Sequence, residues 1–382
     1  MVKISIITSG RADFGLLKNL ILKLKKSKFN CSLIATGTHF SKDYGYSYQE
    51  IVKNKIKIDK RINIKIETKS HSGISKIISE HIYQTSKILE KLKPNLVILL
   101  GDRHEILASA ISAHIAGIPI AHIHGGELTN GAIDDAFRHS ITKMSHFHFV
   151  SNITHKKRII QLGESPNSIF VVGGMGVDNI KKTKIVHKKI LEKILKIKFN
   201  AKNLLINFHP ETLNQNRAKR QIKEILKALK KLNQTSFFFT MPGAEFENKF
   251  IIREIKKFIK KNKNSYYFKS LGSIKYFSLL NIVDAMIGNS SSGLLEMPSF
   301  KKATINLGNR QLGRLRGESV IDSKINEKKI LSSIKKIYSA KFRQKLKKIK
   351  NPYGNGGSST KIVKILEKVN FNKSLIKKFY DQ

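Results

Sequence analysis

One cysteine, Cys31, is all the thiol chemistry that 382 residues offer. That excludes an intrachain disulfide and any zinc site built from several cysteines, and it fits a reducing compartment. Standing on an apolar strand, Cys31 reads as a small buried hydrophobe. Long apolar runs are also lacking: none approaches the ~18 residues that a membrane span needs. The first residues, MVKISIITSGRADFG, run straight into a strand and a turn with no charged-then-apolar leader. A cytoplasmic protein with no membrane partner is expected. Acidic residues are few, 27 against 72 lysines and arginines, for a formal net charge of +45. Such a charge invites nucleic acid, because neutralising phosphates drives that binding. Yet no zinc-finger spacing, aromatic RNP-type strand or basic-region helix accompanies it. The lysines fall between apolar positions at helical spacing, as over 18–26 and 223–231, and rise together with isoleucine and asparagine. They read as solvated helix faces. No nucleic-acid partner is expected, although the positive field can help to attract an anionic substrate.

What is present is a globular pattern long enough for two cores, 40% hydrophobic and 26% charged. Short apolar runs at 4–8, 31–35, 96–100, 118–123 and 147–150 alternate with helical patterns, the βαβ signature of a doubly wound parallel sheet. After the run 169–172 and the basic segment 181–202, a second alternating set begins with 204–208, 236–240, 266–268, 285–287 and 303–307, and helices are expected over 330–350 and 360–369. The fold class expected is therefore α/β, two Rossmann-like doubly wound domains facing a cleft. We expect an N-terminal domain over 1–180 with acid/base residues, a nucleotide-binding domain over 181–355, and a helical segment over 356–382 that can cross back to the first domain.

The densest chemistry lies over 99–151. The run 96–100 ends in Gly101-Asp102-Arg103-His104-Glu105, and the run 118–123 ends in His124-Gly125-Gly126-Glu127. Ligands of open α/β sheets bind outside the carboxyl ends of strands, so Asp102, His124 and Glu127 fall where chemistry is expected. Asp134, with Asp135, opens the next helix, where it either complements the helix dipole or joins the site. The first turn, with Arg11 and Asp13 between Gly10 and Gly15, departs from G-x-G-x-x-G; it is either a tight turn capped by Asp13 or an anion-binding turn. Ser290, Ser291 and Ser292, between a strand and a helix, form an expected phosphate cradle, and Arg310 suits bidentate phosphate contacts. Glu296 suits ribose hydroxyls, and His209 ends its strand. His122 with His124, and His146 with His148, stand two apart on strands and could each chelate an ion, but no third ligand is assignable. No metal and no other cofactor are expected.

GRADFG (10–15), LGDRHE (100–105), HIHGGELTNGAIDDAFRHSITKMSH (122–146), HPE (209–211), GNSSSGLLE (288–296) and NLGNRQLGR (306–314) together resemble the hydrolysing UDP-N-acetylglucosamine 2-epimerases, in order and over nearly the whole chain. The resemblance implies a glycosyltransferase-B-like architecture and release of UDP and an N-acetylmannosamine-type sugar for sialic or related nonulosonic acid synthesis. It implies that Arg11, Asp102, Glu127, Asp134, Arg138, His209, Ser290, Ser291, Glu296 and Arg310 are functional, and together with the strand-end reading it makes Asp102, His124, Glu127 and Asp134 the expected catalytic residues. Substrate binding would fall to Arg11, Asp13, Arg103, Arg138, His209, Ser290, Ser291, Ser292, Glu296 and Arg310. The partner expected is a small nucleotide sugar, and a homodimer or homotetramer is expected. The alternatives are the non-hydrolysing 2-epimerase, or an epimerase acting on N,N'-diacetylbacillosamine linked to UDP or GDP. Three departures stand out. Many relatives carry a glutamate where His124 stands, while some that make other nonulosonic acids share the histidine. MPGAE (241–245) replaces a P-N-x-D-like segment, and Ser319 replaces a common asparagine.

Overall fold

The buried apolar runs become strands, and the amphipathic stretches between them become the helices that cover both faces. The computed structural model describes residues 1–42, 45–64, 70–129, 133–209, 215–240, 248–269, 271–371 and 376–381. Two units separate, one of Met1–Asn179 with Tyr353–Gln382 and one of Ile180–Pro352.

The first unit runs β1 (Lys3–Thr8), α1 (Arg11–Lys25), β2 (Asn30–Ala35), α2 (Tyr48–Lys53), β3 (Lys60–Arg61), α3 (His71–Leu92), β4 (Leu96–Leu100), α4 (His104–Ile115), β5 (Ile120–Ile123), α5 (Ile133–Met144), β6 (Phe147–Val150), α6 (Ile153–Gln161), β7 (Ile169–Val171) and the start of α7 (Met175–Lys182). Its sheet has the order β3-β2-β1-β4-β5-β6-β7, and every pairing is parallel. All five residues of β4 are buried, as expected of a central parallel strand covered on both faces. Helix α1 buries Phe14, Leu17, Leu20, Ile21 and Leu24, which leaves its lysines on the outer face. Helix α3 opens on Ser70, whose hydroxyl accepts the Gly73 N–H, and closes on left-handed Lys93 before Pro94.

The second unit runs α8 (Lys188–Leu195), β8 (Lys202–Asn207), α9 (Gln215–Lys230), β9 (Thr235–Thr240), α10 (Asn248–Lys261), β10 (Ser265–Phe268), α11 (Gly272–Ile282), β11 (Ala285–Gly288), α12 (Ser292–Leu295), β12 (Ala303–Leu307), β13 (Val320–Ser323), α13 (Glu327–Ile337) and α14 (Ala340–Lys348). Its parallel order is β10-β9-β8-β11-β12-β13. The single helix expected over 330–350 is two helices. Ser339 is extended and its hydroxyl accepts the Phe342 N–H, so a new helix starts there.

Helix α15 (Ser358–Leu366) belongs to the first unit, where Ile362, Val363 and Leu366 join the core of α1, β1 and β4. Farther on, Lys377 Nζ lies 2.8 Å from Glu164, which also pairs with buried His148 and with Lys143. Cys31 is partly buried, and burial pushes its thiol up to about 12. No helix among the described residues is long and apolar enough to cross a membrane.

Burial sets the pH response of the first unit. His39, His81, His122 and His155 are at most 4% exposed. Burial lowers His39, His81 and His155 to about 4 and His122 to about 3. Unfolding returns each to ~6.5. Folded values lie below unfolded ones, so the stability these groups confer is complete above ~6.5 and is lost as pH falls toward 4. Unfolding at pH 5 is expected to take up about four protons through these histidines, measured as the slope of unfolding free energy against pH. A flat profile between pH 7 and 4.5 would contradict neutral burial.

Candidate functional site

In the first unit, β4 and β5 are adjacent and parallel, with Leu100 opposite Ile123, so the residues that follow them emerge side by side. Gly101 turns the chain and Asp102 follows, its side chain 21% exposed. Arg138 of α5 is 4% exposed and makes an ion pair with Asp102 through Nη2, which also donates to Thr129 Oγ1 at 3.2 Å. Asp135 accepts the Thr129 N–H at 2.5 Å. Among the described residues, Arg138 Nε and Nη1 have no hydrogen-bond partner. Asp134 is partly buried one turn before Arg138. Burial raises its proton affinity, and the Asp102 charge adds to this against the opposing pull of Arg103, His104 and Arg138.

The β5 end is built around a strained residue. His124 sits at φ +67°, a region that histidine visits more readily than most side chains. Its N–H bonds Phe149 O at 3.0 Å, its Nε2 accepts the Met175 N–H at 3.2 Å, and its Nδ1 lies 3.5 Å from Glu127. The acceptor role at Nε2 places the proton of a neutral ring on Nδ1, facing the carboxylate. Gly126, at φ +74°, needs its missing side chain, since a Cβ there would stand 2.6 Å from His155 O. Arg158 of α6 holds the Gly126 carbonyl from the other side.

The metal pairs do not form. His122 is fully buried, with Nε2 2.8 Å from Gly101 O and Nδ1 3.0 Å from Thr142 Oγ1. Both nitrogens are used, and His124 leaves the strand line. His148 turns to Glu164 at 3.1 Å, while His146 Nδ1 accepts the Ile120 N–H. Among the described residues no group of three or more His, Cys, Asp or Glu side chains is placed to hold a metal ion.

At the first turn, of the two alternatives left open, the Asp13 cap is the one the backbone contacts show. Its carboxylate accepts the N–H groups of Ser9, Gly10 and Phe14 at 2.6, 2.8 and 2.8 Å. Arg11, at the start of α1, pairs with Glu50 at 3.2 Å with both side chains exposed. Arg103 pairs with buried Glu105.

In the second unit the chemistry gathers at the ends of β8 and β11. Asn289, fully buried, accepts the His209 N–H at 2.7 Å and donates to His209 O at 2.8 Å, which clamps the end of β8. Its carbonyl takes Arg310 Nη1 at 2.9 Å and Gln311 Nε2 at 2.8 Å. Burial, with a smaller contribution from the Arg310 charge, pushes His209 down to about 4, so its ring is neutral near pH 7. Gly288 permits the turn: at φ +149°, a Cβ would lie 1.9 Å from Asn207 O. The helix after the serines is only Ser292–Leu295, too short for a strong dipole, so hydroxyls and loop N–H groups must carry most of any phosphate binding. Ser290 Oγ accepts the Ser292 N–H at 3.4 Å, and Ser291 caps α12 by its backbone. Ser292 Oγ meets Tyr276 Oη at 2.6 Å and donates to Glu296. Burial raises Glu296 to about 7. Ser319 is fully buried. Pro210 and Glu211, 241–245 and Asn130, Gly131 and Ala132 of the central motif lie outside the described residues.

Sequence reasoning passed over Asn289, Glu105, Thr129 and Tyr276. Asn289, Glu105 and Thr129 stand inside quoted motifs, so their position was a signal; Tyr276 acts through a contact that spacing does not show.

A family model described as UDP-N-acetylglucosamine 2-epimerase matches residues 22–367. A Campylobacter jejuni protein named GDP/UDP-N,N'-diacetylbacillosamine 2-epimerase (hydrolyzing) is 43% identical, covering 99% of both chains. Polysialic acid biosynthesis protein P7 of Escherichia coli is 36% identical, over 100% of this chain and 97% of its own. The crystal structure of UDP-GlcNAc 2-epimerase from Neisseria meningitidis bound to UDP-GlcNAc superposes with a TM-score of 0.83 at 22% identity, over 96% of this chain and 100% of that one. That last likeness establishes the fold, two parallel α/β sheets of the glycosyltransferase-B-like kind.

The raised Glu296 makes a testable demand. Its folded value, about 7, lies above the unfolded ~4.5, so its contribution to stability is present at low pH and is lost as pH rises through 7. Glu296→Gln keeps the shape without the charge. The stability of this variant relative to the parent is expected to grow between pH 4.5 and 7 and then level off, followed by thermal melts. A difference independent of pH would place Glu296 in an ordinary solvated setting.

Proposed function

Since this chain belongs to the UDP-N-acetylglucosamine 2-epimerase family, we propose that it is a hydrolysing 2-epimerase that converts a UDP-N-acetylglucosamine-type nucleotide sugar into a free N-acetylmannosamine-type sugar and UDP. The observation that carries this reading is the cluster after β4 and β5. Asp102 is ion-paired to Arg138, Asp134 is a carboxyl of raised proton affinity, and His124 faces Glu127.

The chemistry needs such a cluster. The C2 proton of an N-acetylhexosamine is not acidic, because no ring carbonyl adjoins it. Departure of UDP leaves positive charge at C1 and acidifies that proton. A base removes it and the C1–C2 bond becomes that of a glycal; water then adds at C1 while an acid returns a proton to C2 on the other face. Two groups of unlike proton affinity serve these steps, each worth ~10²–10⁴-fold. We assign the base role to Asp102 and the acid role to Asp134, with His124 and Glu127 as the second proton pair. In the second unit, Ser290, Ser291 and Ser292, neutral His209 as a hydrogen-bonding group, and Arg310 as the fixed cation take the diphosphate, and Glu296 takes ribose hydroxyls. Arg11, Asp13, Arg103 and Arg138 complete the binding set, Asp13 by holding its turn. The name of the Escherichia coli relative supports a place in nonulosonic acid synthesis, and a cytoplasmic location is part of the same proposal.

A second substrate reading is favoured by the name of the Campylobacter jejuni relative at 43% identity: the sugar is N,N'-diacetylbacillosamine on UDP or GDP. Turnover of each nucleotide sugar in D₂O, followed by NMR of the products, tests both. The expected products are UDP or GDP and a free 2-epimerised sugar carrying deuterium at C2. Retained protium with unchanged configuration would mean simple hydrolysis.

Two variants divide the roles. Asp102→Asn is expected to lower kcat by at least ~10² with little change in UDP affinity, the mark of a transition-state role. Arg310→Ala is expected to weaken UDP binding by about 1.5–3 kcal/mol, the scale of a charge-assisted hydrogen bond, measured by calorimetric titration. Unchanged affinity would remove Arg310 from the diphosphate site.

A further inference from the structure

Glu105 is absent from the proton chemistry above, yet its carboxylate is only 2% exposed. It receives Arg103 through two parallel hydrogen bonds, from Nε and Nη2, each 3.0 Å long, and His104 Nδ1 stands 3.5 Å away. The Gly37 backbone is pressed against it so closely that a Cβ on Gly37 would fall 2.8 Å from Oε1. The carboxylate therefore has little room to swing. Burial by itself would favour the protonated acid, but Arg103 and His104 outweigh it and hold Glu105 below its ordinary value. Arg103 is different: its side chain is 46% exposed, at the C-terminal end of β4 where the candidate groups gather.

We propose that Glu105 is a positioning residue, a buried clamp that fixes the Arg103 guanidinium for the substrate and keeps it from collapsing onto Asp134. The inference rests on the 2-epimerase reading above. A bidentate fork sets the plane of the guanidinium as well as its place, which a single contact or a lysine would not do. The charged groups facing Arg103 are Glu105, Asp13 and Asp134. Those facing Asp134 are Asp102 from the end of β4, Arg103 and His104 from the start of α4, and Arg138 from α5. Losing the Glu105 charge breaks one end of a paired set and leaves a mobile cation among carboxylates. Drawn toward Asp134, that cation would lower the proton affinity of the group assigned as acid.

The test is a double-mutant cycle on the full-length enzyme with Glu105→Gln, Arg103→Met and both together. Glu105→Gln is expected to lower kcat by about 10- to 100-fold, with KM moving less than about threefold, and to shift the alkaline limb of the kcat profile to lower pH. Acting through Arg103, it should cost no more than about a further twofold in the Arg103→Met background. Should Glu105→Gln fail to fold, Arg103→Met with and without Glu105→Asp carries the same comparison, and Glu105→Asp, which keeps the charge, is expected to keep the parent pH limb. Losses that multiply in the double variant, or a folded Glu105→Gln enzyme with parental kcat and pH profile, would overturn the clamp. The parent enzyme run alongside separates the two readings: no turnover by the parent overturns the reaction, whereas parent turnover with multiplicative losses overturns the clamp alone.

Discussion

The imidazole of His122 ties together the three segments that carry the candidate proton chemistry. Its Nε2–H bonds the Gly101 carbonyl just before Asp102, and its Nδ1 accepts the hydroxyl of Thr142, one turn beyond Arg138 on α5. Gly125, one residue past His124, lies so close that a Cβ would stand 3.1 Å from Nδ1. One fully buried ring thus sets the spacing of Asp102, Arg138 and the His124 turn. A charged imidazolium could not serve, since it would lose the acceptor at Nδ1, and burial holds the ring neutral with a value near 3.

The second unit uses an amide for the same purpose. Asn289 bonds both backbone groups of His209 and gives its own carbonyl to Arg310 and Gln311. Three separate chain segments would drift apart without such a centre, because loops at strand ends have few apolar contacts of their own. The serine loop is held in turn from Ser292 by the phenol of Tyr276 and the Glu296 carboxyl. In both units a buried polar side chain with its hydrogen bonds satisfied stands behind the exposed groups. Such satisfaction is what makes burial of the polar side chain tolerable.

Electrostatics follow from this arrangement rather than from the net charge of +45. Most of the lysines lie on outer helix faces, where salt and water screen them. Among the charged side chains of the candidate site are two close pairs, Arg138 with Asp102 and Arg103 with Glu105. His209, pushed to about 4, supplies hydrogen bonding, and the fixed positive charge beside it comes from Arg310.

The alternation of short apolar runs with amphipathic stretches was enough to determine two parallel α/β sheets, because burial on both faces leaves a signature in every strand, as in β4. Glycine and ionisable residues at strand ends likewise marked the loops after β4, β5, β8 and β11, since those positions are where a chain can leave the core. Spacing could not say where each side chain turns. His122 and His124 looked like one face of a strand until the chain left the strand at His124, at φ +67°, and the His122 ring went to Gly101 and Thr142. For Asp13 the sequence left a turn cap and an anion-binding turn side by side, and the backbone contacts of its carboxylate show the cap. Helix 330–350 broke where Ser339 found a better use as a cap. Periodicity records which residues lose water, a property of each position. Which hydrogen-bond partner a polar side chain takes depends on groups distant in sequence, as Gly101 and Thr142 are from His122, and only the tertiary structure decided it.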